Sequence, residues 1–204
     1  TNLTYHGNTA AVDAVSPLFY GVNAPPHADV RTIPYPDSFR APQGLAGDAL
    51  CDYYITALES AIADLEASGV GFAGLLLCSI FANEGLPDVP PGFMQRAVDV
   101  VHRAGGLFIS DEVQAGFGRT GHMWGHEAMG VLPDIVTLGK PMGNGHPLAA
   151  VVARADLVEE FRERVFYFNT FGGNPVSCAV GAKVLDILER DRLQDNARVV
   201  GQHL

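Results

Sequence analysis

Apolar residues recur at helical spacing at Ile55, Leu58, Ile62 and Leu65, and the run stops at Ser68-Gly69, so the pattern predicts a helix that ends on a glycine. Residues 71–78 then stay apolar almost throughout, as a strand buried on both faces requires. Pro90-Pro91-Gly92 opens a second helix, with Phe93, Ala97, Val100 and Val101 on one face and Gly105-Gly106 closing it. Two more short apolar runs follow: 107–109, leading to Asp111, and 135–138, leading to Lys140. Later, Val184, Leu185, Ile187 and Leu188 form another helical pattern, and a further polar-apolar pattern begins at Leu193. Short strands alternating with amphipathic helices imply βαβ units. The expected fold is α/β, a mainly parallel sheet covered by helices on both faces. Residues 24–49 are rich in proline and glycine, show no periodic core face, and read as a connecting segment within one domain spanning 1–204.

Composition narrows the class. The chain has 204 residues, 48% hydrophobic and 18% charged, which suits one folded domain with a sizeable core. Its 23 acidic against 13 basic residues give a net charge of -10, so no electrostatic footprint for nucleic acid or an anionic membrane exists. The expected partners are small molecules or other proteins. Cys51, Cys78 and Cys178 form no C-x-x-C pair and leave an odd count, so they read as buried thiols in a reducing compartment. With no apolar stretch near the roughly 20 residues that span a bilayer, the expected location is the cytoplasm. The chain opens on Thr1 rather than Met and stops at Leu204 inside the pattern begun at Leu193, which reads as a piece of a longer protein.

The candidate chemistry lies where apolar runs end. Residues 106–121 read GLFISDEVQAGFGRTG, two carboxylates followed by a literal G-x-G-x-x-G. A dinucleotide loop must turn a strand directly into a helix that receives the pyrophosphate. Here the sequel, HMWGHEAMG, is too broken by glycine for a long packed helix, and the acid expected about 20 residues further on is missing. The carboxylates are the better clue. Asp111 sits where a buried parallel strand should end, and the next apolar run leads to Lys140 in a glycine-rich turn at the same sheet edge. Two readings remain open: a structural Asp–Lys pair at strand ends, or a lysine that forms a Schiff base with pyridoxal phosphate while the aspartate keeps the pyridine nitrogen protonated. His122 and His126 lie four apart, but the order is not H-E-x-x-H and Gly125 argues against a helix, so they read as loop or subunit-contact histidines.

The blocks YHGNT at 5–9, DEVQAGFGRTG at 111–121, TLGKPMGNGHP at 137–147 and FNTFGGNPVSCA at 168–179 resemble, in this order, the class III (omega-type) aminotransferases of fold type I. They look most like the branch holding alanine–glyoxylate-type aminotransferases and the phospho-lyases of phosphorylated amines. The resemblance implies a large, cofactor-binding domain truncated at both ends, and pyridoxal 5′-phosphate as cofactor. It implies Lys140 as the Schiff-base lysine and Asp111 as the partner of the pyridine nitrogen. By the same match, Val113 and Tyr5 would pack on the two ring faces, and Gln114 would reach the phenolic oxygen. Thr170 would contact the cofactor phosphate of the neighbouring subunit in a homodimer with shared active sites; its plainer role is a helix cap.

Transfer of an amino group from a small-molecule donor to an oxo acid is the expected activity. A phospho-lyase on a phosphorylated amine is the first alternative, and a non-catalytic binding fragment the second. Relatives carry a Glu-Pro segment where this chain has Ser79 and Ile80, which bears on reaction specificity. An upstream phosphate-cradling loop and a downstream small domain with a substrate-binding arginine, both found in relatives, have no counterpart in the 204 residues.

Overall fold

The computed structural model describes residues 1–19 and 27–203; residues 24–26, the start of the Pro- and Gly-rich segment, lie outside the described residues. The chain divides into two compact units, Thr1–Phe108 and Ile109–Leu204.

In the first unit, the short helix α1 (Ala10–Asp13) precedes the long helix α2 (Gly47–Ala67), the strand β1 (Gly74–Cys78) and the helix α3 (Phe93–Arg103). Helix α2 buries Leu50, Cys51, Tyr54, Ile55, Leu58, Ile62 and Leu65, the three-and-four spacing of a single apolar stripe. It stops as expected, with Ser68 as its last cap and Gly69 at φ 79°. Helix α3 starts directly after Gly92 and buries Phe93, Met94, Ala97, Val98, Val100 and Val101. The two helices pack together, with the Tyr54 and Phe93 rings edge to face at 6.1 Å. The strand β2 (Leu107–Asp111) begins here, and the Leu107 amide donates to the Ala73 carbonyl at 3.0 Å.

The second unit takes up β2 at Ile109 and adds the short helix α4 (Gly125–Ala128), the strands β3 (Ile135–Leu138) and β4 (Ala150–Ala153), and the helices α5 (Ala155–Arg164), α6 (Pro175–Arg190) and α7 (Leu193–His203). The strands are hydrogen-bonded in the order β1-β2-β3-β4. β2 and β3 run parallel, with Ile109 opposite Ile135, Ser110 opposite Val136 and Asp111 opposite Thr137. β4 returns antiparallel to β3. That reversal has a physical reason: residues 139–149 wind into a turn and contain no α-helix, whereas a parallel return needs a crossover of about a dozen residues or more. A bond of 2.5 Å from Arg154 Nη1 to the buried Asp134 carboxylate closes the open end of this hairpin.

The helices of this unit bury little. Among the described residues α5 and α7 bury none and α6 buries only Ser177. Val151 and Val152, neighbours on β4 that point to opposite faces, are both exposed.

Candidate active site

The end of β2 carries two carboxylates with different surroundings. Asp111 is buried, and its Oδ1 accepts the amide of Val113 at 2.9 Å. This local bond turns the chain sharply after the strand, while the Glu112 amide still donates to the Thr137 carbonyl at 2.9 Å. Glu112 is fully buried. Its Oε1 accepts from Ser110 Oγ at 3.0 Å and from the His126 amide at 2.9 Å, and lies 3.0 Å from His126 Nδ1. Its Oε2 accepts the Gly125 amide at 2.7 Å. A carboxylate withdrawn from water is tolerable only with such a set of donors.

The structure thereby corrects the view of His126 as a loop or subunit-contact residue: it is buried and forms one side of the Glu112 cluster. Two adjacent acids at the end of a buried strand are the signal that could have found it, since at least one must be compensated inside the protein.

Across the strand pair, β3 ends at Leu138, and Lys140 follows after the buried Gly139. Register places Asp111 opposite Thr137, so the carboxylate and the lysine leave the sheet at the same end of neighbouring parallel strands. Lys140 opens the 3-10 turn Lys140–Met142 with φ 34°, a left-handed conformation that a non-glycine residue adopts at a cost of about 1–3 kcal/mol. It is exposed, and its amine makes no ion pair among the described residues, so the plain structural Asp–Lys pair is not formed. Val113 is half-buried and stands against this strand end: a β-carbon on Gly139 would lie 3.6 Å from both Val113 γ-carbons. Gln114, also half-buried, follows in the same turn.

The other candidates lie elsewhere in the chain. Thr170 is exposed in the segment before α6, and it does not cap that helix. Asn174 does, its Oδ1 accepting the Ser177 amide at 3.0 Å. Tyr5 belongs to the first unit, half-buried, with its carbonyl accepting from Asn83 Nδ2 at 3.3 Å. Of the cysteines, Cys51 and Cys78 are buried as expected, while Cys178 is exposed on α6, whose side chains pack sparingly.

The glycines of G-x-G-x-x-G serve packing. A β-carbon on Gly118 would meet Gln194 Cα at 3.5 Å, and one on Gly121 would meet Arg198 Cβ at 2.8 Å, so α7 lies directly on this loop.

A buried carboxylate and a lysine with no ion-pair partner among the described residues thus stand at adjacent strand ends of an α/β sheet, the edge at which ligands collect in such folds. The class-III aminotransferase family matches residues 2–204, and the chain belongs to it. It is 41% identical over 201 residues to alanine–glyoxylate aminotransferase 2 homolog 2, mitochondrial, of Arabidopsis thaliana, covering 98% of this chain and 40% of that protein. Among solved structures, a phospholyase from Arthrobacter in complex with phosphoethanolamine superposes with a TM-score of 0.93 at 41% identity, covering 100% of this chain and 48% of that one. An (S)-enantioselective omega-transaminase from Thermomicrobium roseum gives 0.87 at 29% identity, covering 98% and 46%. The chain thus spans less than half the length of each of these relatives.

Pyridoxal 5′-phosphate is the cofactor of this family. The donor set fits it: a buried carboxylate suited to a protonated ring nitrogen, an amine at the adjacent strand end, and an apolar valine beside them.

Proposed function

We propose that this chain carries the reactive lysine of a pyridoxal-phosphate-dependent aminotransferase, which moves an amino group from a small amine or amino acid to an oxo acid. One observation carries the reading: the parallel register that puts buried Asp111 and exposed Lys140 at one end of β2 and β3. When bound, the cofactor supplies an amine-reactive carbonyl and an electron-withdrawing ring. Asp111 would keep the proton on the ring nitrogen. Lys140 Nζ would hold the cofactor and would move the proton at the substrate carbon that bears the amino group. Val113 and Tyr5 would flank the ring, Gln114 would serve its phenolic oxygen, and Thr170 would serve the phosphate of a neighbouring subunit in a homodimer. Free thiols support a reducing location such as the cytoplasm. No helix among the described residues is long and apolar enough to cross a membrane.

A second reading is favoured by a specific likeness. The Arthrobacter phospholyase, bound to phosphoethanolamine, matches the whole chain at 41% identity. Lys140 would then take the proton from the amine-bearing carbon of a phosphorylated amine, with Asp111 at the ring nitrogen as before, and phosphate would leave from the neighbouring carbon. Two measurements on the holoenzyme separate these readings and a fragment that only binds. Borohydride reduction with pyridoxal phosphate and peptide mapping should label Lys140; label on the exposed Lys183 alone would sink the assignment. Amino transfer that requires an oxo acid supports the first reading, whereas phosphate released from phosphoethanolamine without an acceptor supports the second.

A further inference from the structure

The turn that carries Lys140 is wound tightly on itself. The amides of Met142, Gly143, Asn144 and His146 donate to the carbonyls of Gly139, Lys140, Pro141 and Gly143 at 2.9, 3.3, 3.1 and 2.9 Å. A β-carbon on Gly143 would fall 2.0 Å from the His146 carbonyl oxygen, so this winding admits only glycine there. Such bonds fix the turn internally and say nothing about its placement.

Helix α6 meets the turn at two points. Gly181 lets the helix close on the end of the turn: a β-carbon there would lie 2.7 Å from Leu148 Cδ2 and 3.9 Å from the Met142 carbonyl oxygen. At the first turn of α6, His146 Nε2 lies 2.8 Å from Ser177 Oγ. Ser177 is buried, and Asn174 grips it twice, accepting its amide at 3.0 Å and donating from Nδ2 to its Oγ at 3.0 Å. The serine oxygen accepts from Asn174 Nδ2, and its remaining hydrogen-bonding capacity faces His146 Nε2. Leu148 supplies contact without direction; the His146–Ser177 bond supplies direction.

Asn174 is also where residues 169–174 enter α6. That segment is shaped by its own bonds, Asn169 Oδ1 accepting the amides of Phe171 and Gly172 at 3.1 and 3.0 Å. We propose that His146 is a positioning residue: through Ser177 and Asn174 it ties the turn that presents the Lys140 amine to the segment that carries Thr170, so the two are held as one piece. The proposal rests on the reading above, in which Lys140 bonds the cofactor. A lysine held by its own turn alone would keep its fold and lose its aim, and small errors of aim are costly in such sites.

The test uses the holoenzyme and reads cofactor retention and the rate of borohydride labelling at Lys140. His146→Ala and Ser177→Ala are each expected to weaken retention and slow labelling by about tenfold, as loss of one directed hydrogen bond does. The double variant is expected to be no worse than either single one, because both break the same link. His146→Gln, whose amide reaches a similar position, should recover most of the loss, and with Ser177→Ala it carries the test if His146→Ala does not fold. Leu148→Ala removes packing alone and should lower the thermal midpoint while leaving the labelling rate near that of the parent. Fully additive effects of the two single variants, or a parental labelling rate in His146→Ala, overturn the proposal. A parent enzyme that takes no label at Lys140 sinks the cofactor reading itself, and this inference with it.

Discussion

Asp111 and Glu112 are adjacent acids of one charge, yet they carry opposite burdens. Asp111 accepts the Val113 amide on its Oδ1 and stands at the strand end shared with Lys140. Glu112 is spent on Ser110, Gly125 and His126. Conservative amide variants should therefore separate function from fold. Asp111→Asn is nearly isosteric and is expected to melt close to the parent while turnover falls on the order of 100-fold, because in the proposed role the lost charge would keep the ring nitrogen protonated. Glu112→Gln puts an amide NH2 against donors, which should lower stability by about 1–3 kcal/mol and turnover only a few-fold. Thermal melts and steady-state rates on the two variants decide it; the reverse pattern would exchange their roles. The positions of Asp111 and Lys140 at neighbouring strand ends were legible in the sequence because an apolar run leads to each. Glu112's partners were not, since Gly125 and His126 lie in a glycine-broken stretch with no periodicity to place it.

At the scale of elements, hydrophobic period placed α3, β1, β2, β3 and the C-terminal end of α2 to within a few residues, but it missed the start of α2 at Gly47, ahead of the first periodic residue Ile55 and inside the 24–49 stretch read as a connection. It did not place β4, four residues long, whose direction depends on how 139–149 winds and not on any pattern of its own. The G-x-G-x-x-G motif marks the same limit: glycine spacing shows where the backbone is bare and not what approaches it. What approaches is α7. Gly121 has φ 81°, and a β-carbon on it would lie 2.8 Å from Arg198 Cβ and 3.0 Å from its Cα. The Arg198 backbone cannot move aside without shifting the helix. Gly121→Ala is thus expected to destabilise the protein by about 1–3 kcal/mol through strain and overpacking. Calorimetry checks it. A variant with the parental melting point, or one whose defect is loss of a bound nucleotide, would return the loop to the phosphate-binding reading rejected from its sequence context.

The whole molecule poses a problem that neither residue nor element resolves, namely where the apolar surface of the second unit goes. Phe166 is 94% exposed and Phe171 79%, with Tyr167, Phe168 and Val176 also exposed around Thr170. Aromatic side chains gathered in one short stretch are costly to leave in water and typical of buried contacts between subunits. The proposed homodimer would cover them and, in the same contact, bring Thr170 to the neighbour's cofactor phosphate. This predicts two separable defects. Phe166→Ser should weaken association, raising the dimer dissociation constant by at least about tenfold, since it removes a large apolar side chain from the interface. Thr170→Ala removes one hydroxyl, so the dimer should persist while cofactor affinity falls by about tenfold, the loss of one hydrogen bond to a charged group. Because Asn174 caps α6 in place of Thr170, the second variant should not lower helix stability. Sedimentation and cofactor titration on both variants provide the check. Full turnover by a monomer would overturn the shared site, and an unchanged cofactor affinity in an intact Thr170→Ala dimer would remove Thr170 from it.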